Sequence, residues 1–178
     1  MVSTSSMSEE DLDRELTTAS SKLIKFLRSA EGDFMVLGAG GKMGPSLSLM
    51  LRSAIDGAGI QKRVIAVSKF SSRGVKERLQ SAGVETIVAD LLDEDSLRAL
   101  PNIENVVVMA AQKFGTTGRE HDSWILNTYL PGKIAEKFRN SSIVHFSSGN
   151  VYPFVSVRSR GSKESDAPMP LGEYAQSR

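Results

Sequence analysis

Gly38, Gly41 and Gly44 follow the apolar run Phe34-Met35-Val36-Leu37 at the spacing G-x-x-G-x-x-G, which is suited to binding a diphosphate. Such a site needs a residue at positive φ, a backbone that nears phosphate with no Cβ in the way, and a helix packed tightly on a strand. Glycine serves all three needs. Gly40, Lys42 and Met43 complete the candidate loop, whose amides would face the anion at a helix N-terminus. The same spacing also serves a plain tight strand-to-helix turn. A magnesium-assisted phosphate loop fits poorly, because Met43 replaces the needed Ser or Thr after Lys42 and Val36 stands where the leading glycine belongs.

A dinucleotide site of this kind usually places a carboxylate on the adenosine ribose about 20 residues past the glycines. Here the apolar run Arg63-Val64-Ile65-Ala66-Val67 ends in Ser68-Lys69-Phe70-Ser71-Ser72-Arg73, with no acid. Hydroxyls beside Lys69 and Arg73 suit a 2′-phosphate, so NADP is expected ahead of NAD, unless these cations are ordinary solvated loop charges. Asp90-Leu91, past the third apolar run, either offers a carboxylate to the adenine amino group or caps the next helix through Asp90.

Short apolar runs alternating with helical patterns must position these groups, and that alternation is the signature of a parallel sheet with helices on its faces. Strands are expected over Phe34–Gly38, Arg63–Ser68, Thr86–Ala89, Asn105–Ala110 and Ile143–Ser147, and helices over Met43–Asp56, Val75–Ala82, Glu94–Leu100 and His121–Arg139. Pro131-Gly132 predicts a kink or break in the last helix. Asn150–Leu171, with Pro153, Pro168 and Pro170, reads as one long loop, of a length that usually carries function or is disordered. Ahead of the first strand, Met1–Met7 is Ser/Thr-rich and expected to fray. Ser8 with Asp11 resembles a capping box, and Leu12, Leu16, Ala19, Leu23 and Phe26/Leu27 predict a single amphipathic packing helix.

A chain of 178 residues with 40% hydrophobic content can bury one sizeable core. Its 22 Lys and Arg against 21 Asp and Glu give a net charge of +1, too weak a field to argue for nucleic acid or an anionic membrane. The absence of cysteine removes disulfides, thiolate metal sites and thiol catalysis, and two histidines cannot build a histidine-rich metal site. No apolar stretch is long enough to cross a bilayer and the N-terminus is polar and acidic, so a cytoplasmic location without a signal peptide is expected. His145, between Val144 and Phe146, reads as a hydrogen-bonded core histidine and His121 as a surface one. Trp124, Phe114 and Tyr129 read as packing residues, and Glu164 and Asp166 as solvated loop charges.

Several separated motifs together resemble the extended short-chain dehydrogenase/reductase group, the NAD-dependent epimerase/dehydratase family of nucleotide-sugar enzymes. The glycine loop and Asp90-Leu91 match its glycine pattern and adenine-pocket acid, and Met109-Ala110-Ala111 its small-residue segment beside the cofactor. Trp124-Ile125-Leu126-Asn127-Thr128 is similar to the helix carrying its structural Asn, and Ser147-Ser148-Gly149-Asn150-Val151-Tyr152 to its Ser-Ser-x-x-Val-Tyr strand end. Glu164-Ser165-Asp166-Ala167-Pro168-Met169-Pro170, then Tyr174-Ala175-Gln176-Ser177-Arg178, resembles its acidic-proline segment and Tyr-x-x-x-Lys helix.

The resemblance runs from about Phe34 to Arg178. It implies an α/β, Rossmann-type doubly wound parallel sheet with helices on both faces over 34–178, stopping before the family's final strands and substrate segment, with residues 1–33 as an N-terminal extension. It implies Tyr174 as acid/base, Ser148 as the hydrogen-bonding partner of the substrate oxygen, Asn127 as a supporting site residue, and Ala110 and Ala111 beside an NADP or NAD cofactor. A phenol ionises unaided only near pH ~10, and in the family a lysine and the nicotinium charge favour its phenolate. Arg178 stands where that lysine belongs, and its planar fork differs from a compact ammonium. The expected activity is epimerisation, dehydration or reduction of a nucleotide-sugar or related alcohol or carbonyl, with this chain binding dinucleotide but turning over little. Polar caps on a strand end for Ser147 and Ser148, a surface helix position for Tyr174, and bonding to its own helix for Asn127 are the plainer readings. A noncatalytic dinucleotide-sensing or partner-binding protein, and a sheet completed by another chain, are the rival functions. Homodimer contacts through the helices of Trp124 and Tyr174 are implied by resemblance.

Overall fold

The computed structural model describes residues 7–178, so the expected frayed stretch up to residue 6 lies outside them. Five strands form one parallel sheet in the order β3-β2-β1-β4-β5: β1 (Phe34–Leu37), β2 (Val64–Ser68), β3 (Glu85–Val88), β4 (Asn105–Val108) and β5 (Ser142–His145). All five expected strands are present. β4 stops at Val108, two residues short of expectation, although the Met109 amide still donates to the Leu37 carbonyl at 2.8 Å.

Strand parity divides the core. Met35, Leu37, Ile65, Val67, Val106 and Val108 face α5 (Glu94–Ala99) and α7 (Leu130–Lys137), where Leu97, Ile134 and Phe138 are buried against them. Phe34, Val36, Val64 and Ala66 face the opposite way, toward α2 (Ser21–Ser29), α3 (Gly44–Ala58) and α4 (Val75–Ser81). The central strands are therefore covered on both sides, which explains why their sequences read as unbroken apolar runs.

The N-terminal segment differs from the single helix expected. It forms two, α1 (Glu9–Thr17) and α2, separated at Thr18–Ser20. Ser8 caps the first by accepting from the Asp11 amide, and Ser20 caps the second by accepting from the Leu23 amide. A hydroxyl that satisfies free helix amides starts a new helix where one was already running. The break lets both helices lie on α3, with Leu27 fully buried beside Ala54 and Ile55.

The expected kinked helix over His121–Arg139 is also divided: α6 (Glu120–Trp124), a π turn over Ile125–Tyr129, then α7. The Leu130 amide reaches back five residues to the Ile125 carbonyl. Pro131 lies in the first turn of α7 rather than at a kink. A wider turn before the proline relieves the clash its ring would make with the carbonyl four residues earlier, that of Asn127.

β5 forms one edge of the sheet, and its exposure overturns the core reading of His145, which is solvent-accessible with Val144 and Phe146. Phe114 and Tyr129, expected as packing residues, are 80% and 59% exposed. After β5, a short 3-10 turn (Gly149–Val151) and an extended loop lead to α8 (Gly172–Gln176). No helix among the described residues is long and apolar enough to cross a membrane.

Candidate functional site

The sheet reverses its winding direction between β1 and β4, and parallel α/β sheets open a ligand crevice beyond the strand ends at such a point. A cavity of about 240 Å³ lies there, lined by the glycine loop, the end of β2, the Asp90 turn, the end of β4 and the π turn. Of the residues that sequence spacing marked for a dinucleotide, Gly38, Gly41, Ser68, Lys69, Asp90, Leu91, Ala110 and Ala111 line it.

Gly38 begins the loop at φ +85°, and a Cβ on it would come within 2.5 Å of the Ala110 backbone nitrogen. Gly44 opens α3, where a Cβ would fall 2.5 Å from both Cα and the carbonyl oxygen of Ala39, so only glycine lets the helix sit this close to the strand end. A Cβ on Gly41 would meet only the Gly38 carbonyl oxygen, at 3.4 Å, whereas one on Gly40 would fall 2.5 Å from the Ser68 hydroxyl. The amides of Lys42, Met43 and Gly44 meet no acceptor among the described residues, while Pro45 in the first turn has no amide to satisfy. Lys42 and Met43 are exposed and outside the cavity lining.

Ser68 ends β2 inside the cavity wall, and its Oγ accepts from the Phe70 amide at 3.4 Å. Phe70 holds φ +48°, the one non-glycine residue at positive φ among the described residues, and thereby turns the chain sharply behind the cavity. Lys69 lines the cavity and pairs with Asp90 at 3.4 Å, whereas Arg73 is exposed and outside the lining. Asp90 is not the helix cap: its Oδ1 accepts from the Leu92 amide at 3.0 Å, and Asp93 caps α5 by accepting from Ser96 at 2.8 Å. Leu91, Ala110 and Ala111 complete the apolar wall.

Asn127 is 3% exposed and bonds a separate loop rather than its own helix. Its Oδ1 accepts from the Gln112 amide at 2.9 Å, while its Nδ2 donates to the Gln112 carbonyl at 2.9 Å and to Ser177 Oγ at 3.0 Å. Ser177 Oγ in turn donates to the Tyr174 carbonyl at 3.0 Å. This buried chain of bonds ties the end of β4 to the π turn and to α8. Nothing in the sequence pattern announced Gln112 or Ser177, since their part depends on which loops the fold brings together.

The Ser148 hydroxyl caps the 3-10 turn, accepting from the Asn150 amide at 3.1 Å and donating to Asn150 Oδ1 at 3.2 Å. Tyr174 is half-buried on α8, which packs against that turn, yet no hydrogen bond joins it to Ser148. Ser147 Oγ reaches only the Arg178 carbonyl, at 3.5 Å. The Arg178 guanidinium donates to the Phe146 carbonyl, and its Nε and Nη1 are buried without partners. Partial desolvation of its ring at the sheet edge, reinforced by the Arg178 charge, holds His145 below its ordinary range.

No family model and no curated protein matches the sequence. Solved structures do match. ADP-L-glycero-D-manno-heptose-6-epimerase of Helicobacter pylori aligns at 19% identity with a TM-score of 0.65 over 83% of this chain and 48% of its own. UDP-glucuronic acid 4-epimerase of Bacillus cereus, solved with UDP-glucuronic acid and NAD, aligns at 21% identity and TM-score 0.63 over 82% of this chain and 48% of its own. UDP-N-acetylglucosamine 4-epimerase of Methanobrevibacter ruminantium, solved with UDP-N-acetylmuramic acid, gives 22% identity and 0.61 over 83% and 47%. At these identities the likeness establishes the α/β fold, and the chain spans about half the length of the structures it matches.

Proposed function

We propose that the chain is the dinucleotide-binding portion of an NAD(P)-dependent epimerase, dehydratase or reductase acting on a nucleotide-sugar or a related alcohol or carbonyl. The observation that carries the reading is the cavity at the ends of β1 and β4, lined by Gly38 and Gly41 on one side and Ala110-Ala111 on the other, with the unpaired amides of Lys42, Met43 and Gly44 following directly in the same loop. A diphosphate fits the amides of Lys42, Met43 and Gly44, because an anion at a helix N-terminus meets both free donors and the positive end of the helix dipole. Gly38 and Gly41 keep the approach clear. Asp90 serves the adenine, and Ser68 with Lys69 serves the ribose, where the ammonium favours the 2′-phosphate of NADP over NAD. Arg73 adds charge from the following turn.

Bound there, the dinucleotide supplies the hydride acceptor or donor. Tyr174 exchanges the proton of the substrate oxygen, Ser148 donates a hydrogen bond to that oxygen once its hydroxyl leaves Asn150, and Asn127 fixes the loop that carries Gln112. Arg178, directed at Phe146, does not serve the phenol. The helices that carry Trp124 and Tyr174, which pack against each other, offer a surface for self-association.

Titration with NADPH and NADH, read by cofactor fluorescence and thermal shift, tests the reading. Tighter binding of NADPH is the expected result; equal affinities defeat the Lys69/Arg73 argument, and no binding of either defeats the dinucleotide site. A second reading, a noncatalytic dinucleotide sensor, is favoured by the Ser148 hydroxyl being engaged with Asn150 and by Arg178 being turned away. Turnover with nucleotide-sugars that disappears in Tyr174→Phe, with dinucleotide binding retained, rejects the sensor.

A further inference from the structure

Gly40 is a glycine that the usual demands of a phosphate loop do not explain. Its φ is not positive, unlike that of Gly38, and it stands outside the cavity lining to which Gly38 and Gly41 belong. Its bare Cα serves a side chain at the end of the next strand. A Cβ on Gly40 would fall 2.5 Å from Ser68 Oγ, 3.1 Å from Ser68 Cβ and 3.6 Å from the Phe70 Cα. The Ser68 side chain therefore lies over Gly40, in space that a methyl group would take.

The turn that carries this hydroxyl is held from behind. Phe70, at φ +48°, adopts a conformation that a bulky residue keeps only when its surroundings impose it. Its side chain supplies the hold, being partly buried against the core between the sheet and α3. Ser68 and Lys69, immediately before it, both line the cavity. Ser68 Oγ accepts from the Phe70 amide at 3.4 Å, and its hydrogen meets no acceptor among the described residues. A ligand beside it must offer one. A phosphate oxygen is the strongest such acceptor, because the bond is then charge-assisted.

We propose that Gly40 is a positioning residue for cofactor selectivity: by carrying no Cβ, it keeps the Ser68 hydroxyl in the orientation that donates to the 2′-phosphate of NADP. The inference rests on the reading of the cavity as a dinucleotide site with the ribose at Ser68 and Lys69. Gly40 acts through Ser68, whereas Gly38 and Gly41 serve the diphosphate that both nucleotides share. An alanine at position 40 meets a rotatable hydroxyl before any backbone atom, so the loop keeps its path while the hydroxyl swings away.

Fluorescence titrations of the 178-residue chain with NADPH and NADH test this, with thermal unfolding to show that each variant is folded. Gly40→Ala is expected to melt close to the unsubstituted chain and to weaken NADPH binding about tenfold, the usual effect of losing one hydrogen bond to a charged group. NADH, whose ribose hydroxyl is a neutral acceptor, should lose about threefold. Ser68→Ala should do the same, and adding Gly40→Ala to it should change neither affinity further, because the two residues act as one unit. Unchanged binding by Gly40→Ala overturns the proposal. Equal weakening of both nucleotides overturns it too, since Gly40 then serves the shared diphosphate, and so does a further loss in the double variant. Unchanged NADPH binding by Ser68→Ala overturns it even where Gly40→Ala fails to fold. An unsubstituted chain that binds neither nucleotide defeats the dinucleotide reading itself, whereas one that binds both and is indifferent to Gly40→Ala defeats this inference alone.

Discussion

Asn127 grips Gln112 through both of its amide atoms, accepting from the Gln112 nitrogen and donating to the Gln112 carbonyl, each at 2.9 Å. The π turn that carries Asn127 thereby sets the position of the loop leaving β4, which forms one wall of the cavity. Two backbone groups that would otherwise be unpaired are satisfied by one side chain.

Asn127→Ala leaves the Gln112 amide and carbonyl without a partner and removes the bond that Ser177 Oγ accepts, while that hydroxyl still donates to the Tyr174 carbonyl. The expected cost is about 2–3 kcal/mol, the usual penalty for orphaned buried polar groups. Urea unfolding measures it, and a loss under about 0.5 kcal/mol, the range of ordinary surface substitutions, would show that the bonds are replaced by water.

Gly44→Ala places a methyl group against backbone atoms of Ala39, which cannot swing aside as a flexible side chain would. Overpacking of this kind costs about 1–3 kcal/mol. Thermal unfolding should show the loss, and NADPH binding should weaken because the start of α3 is pushed off the loop. Gly41→Ala, whose Cβ meets nothing closer than the Gly38 carbonyl at 3.4 Å, should leave stability nearly unchanged and impair binding alone.

Lys69→Ala should weaken NADPH binding about tenfold while changing NADH binding little, because the lost charge–phosphate contact exists only with the 2′-phosphate. Asp90→Asn should act in the opposite sense on selectivity, since it frees Lys69 from its ion pair. Parallel fluorescence titrations with both dinucleotides decide the matter. Equal weakening of both by Lys69→Ala would place the lysine on a shared part of the cofactor.

Acid should weaken the fold in two separate windows. His145 is held below its ordinary 6.5 by partial desolvation and by Arg178, so the folded state binds fewer protons than the unfolded one. Its contribution is complete above pH 6.5 and is lost as pH falls through the lower folded value. Asp33 acts further down. Burial raises its proton affinity, but bonds from the Arg63 amide and guanidinium outweigh that and hold it below its ordinary 3.8, so its contribution is lost only as pH falls below that value. Melting temperatures across both windows should show the first decline flattened in His145→Gln and the second in Asp33→Asn. An unchanged first decline in His145→Gln would assign it to other groups.

Much of this was legible in the chain because it is local. A glycine at positive φ, a cap hydroxyl at Ser8 and apolar runs of strand length each act over a few residues, so the five strands and the loop from Gly38 to Gly44 follow from the residues themselves. The interruption at Ser20 was missed because the apolar spacing continues across it, and a cap of modest energy outcompeted one turn of a marginal helix. His145 was misjudged for a different reason: alternation in β5 looks the same whether or not a neighbour covers the strand.

Sequence by itself determined the α/β alternation, the parallel strands and the glycine-lined mouth, since each depends on short-range sterics and on which residues avoid water. Only the tertiary structure decided that Asn127 answers to Gln112, that Arg178 faces Phe146, and that Ser68 lies over Gly40. Those pairings join residues far apart in the chain, and their partners are selected by the direction in which the folded backbone points them.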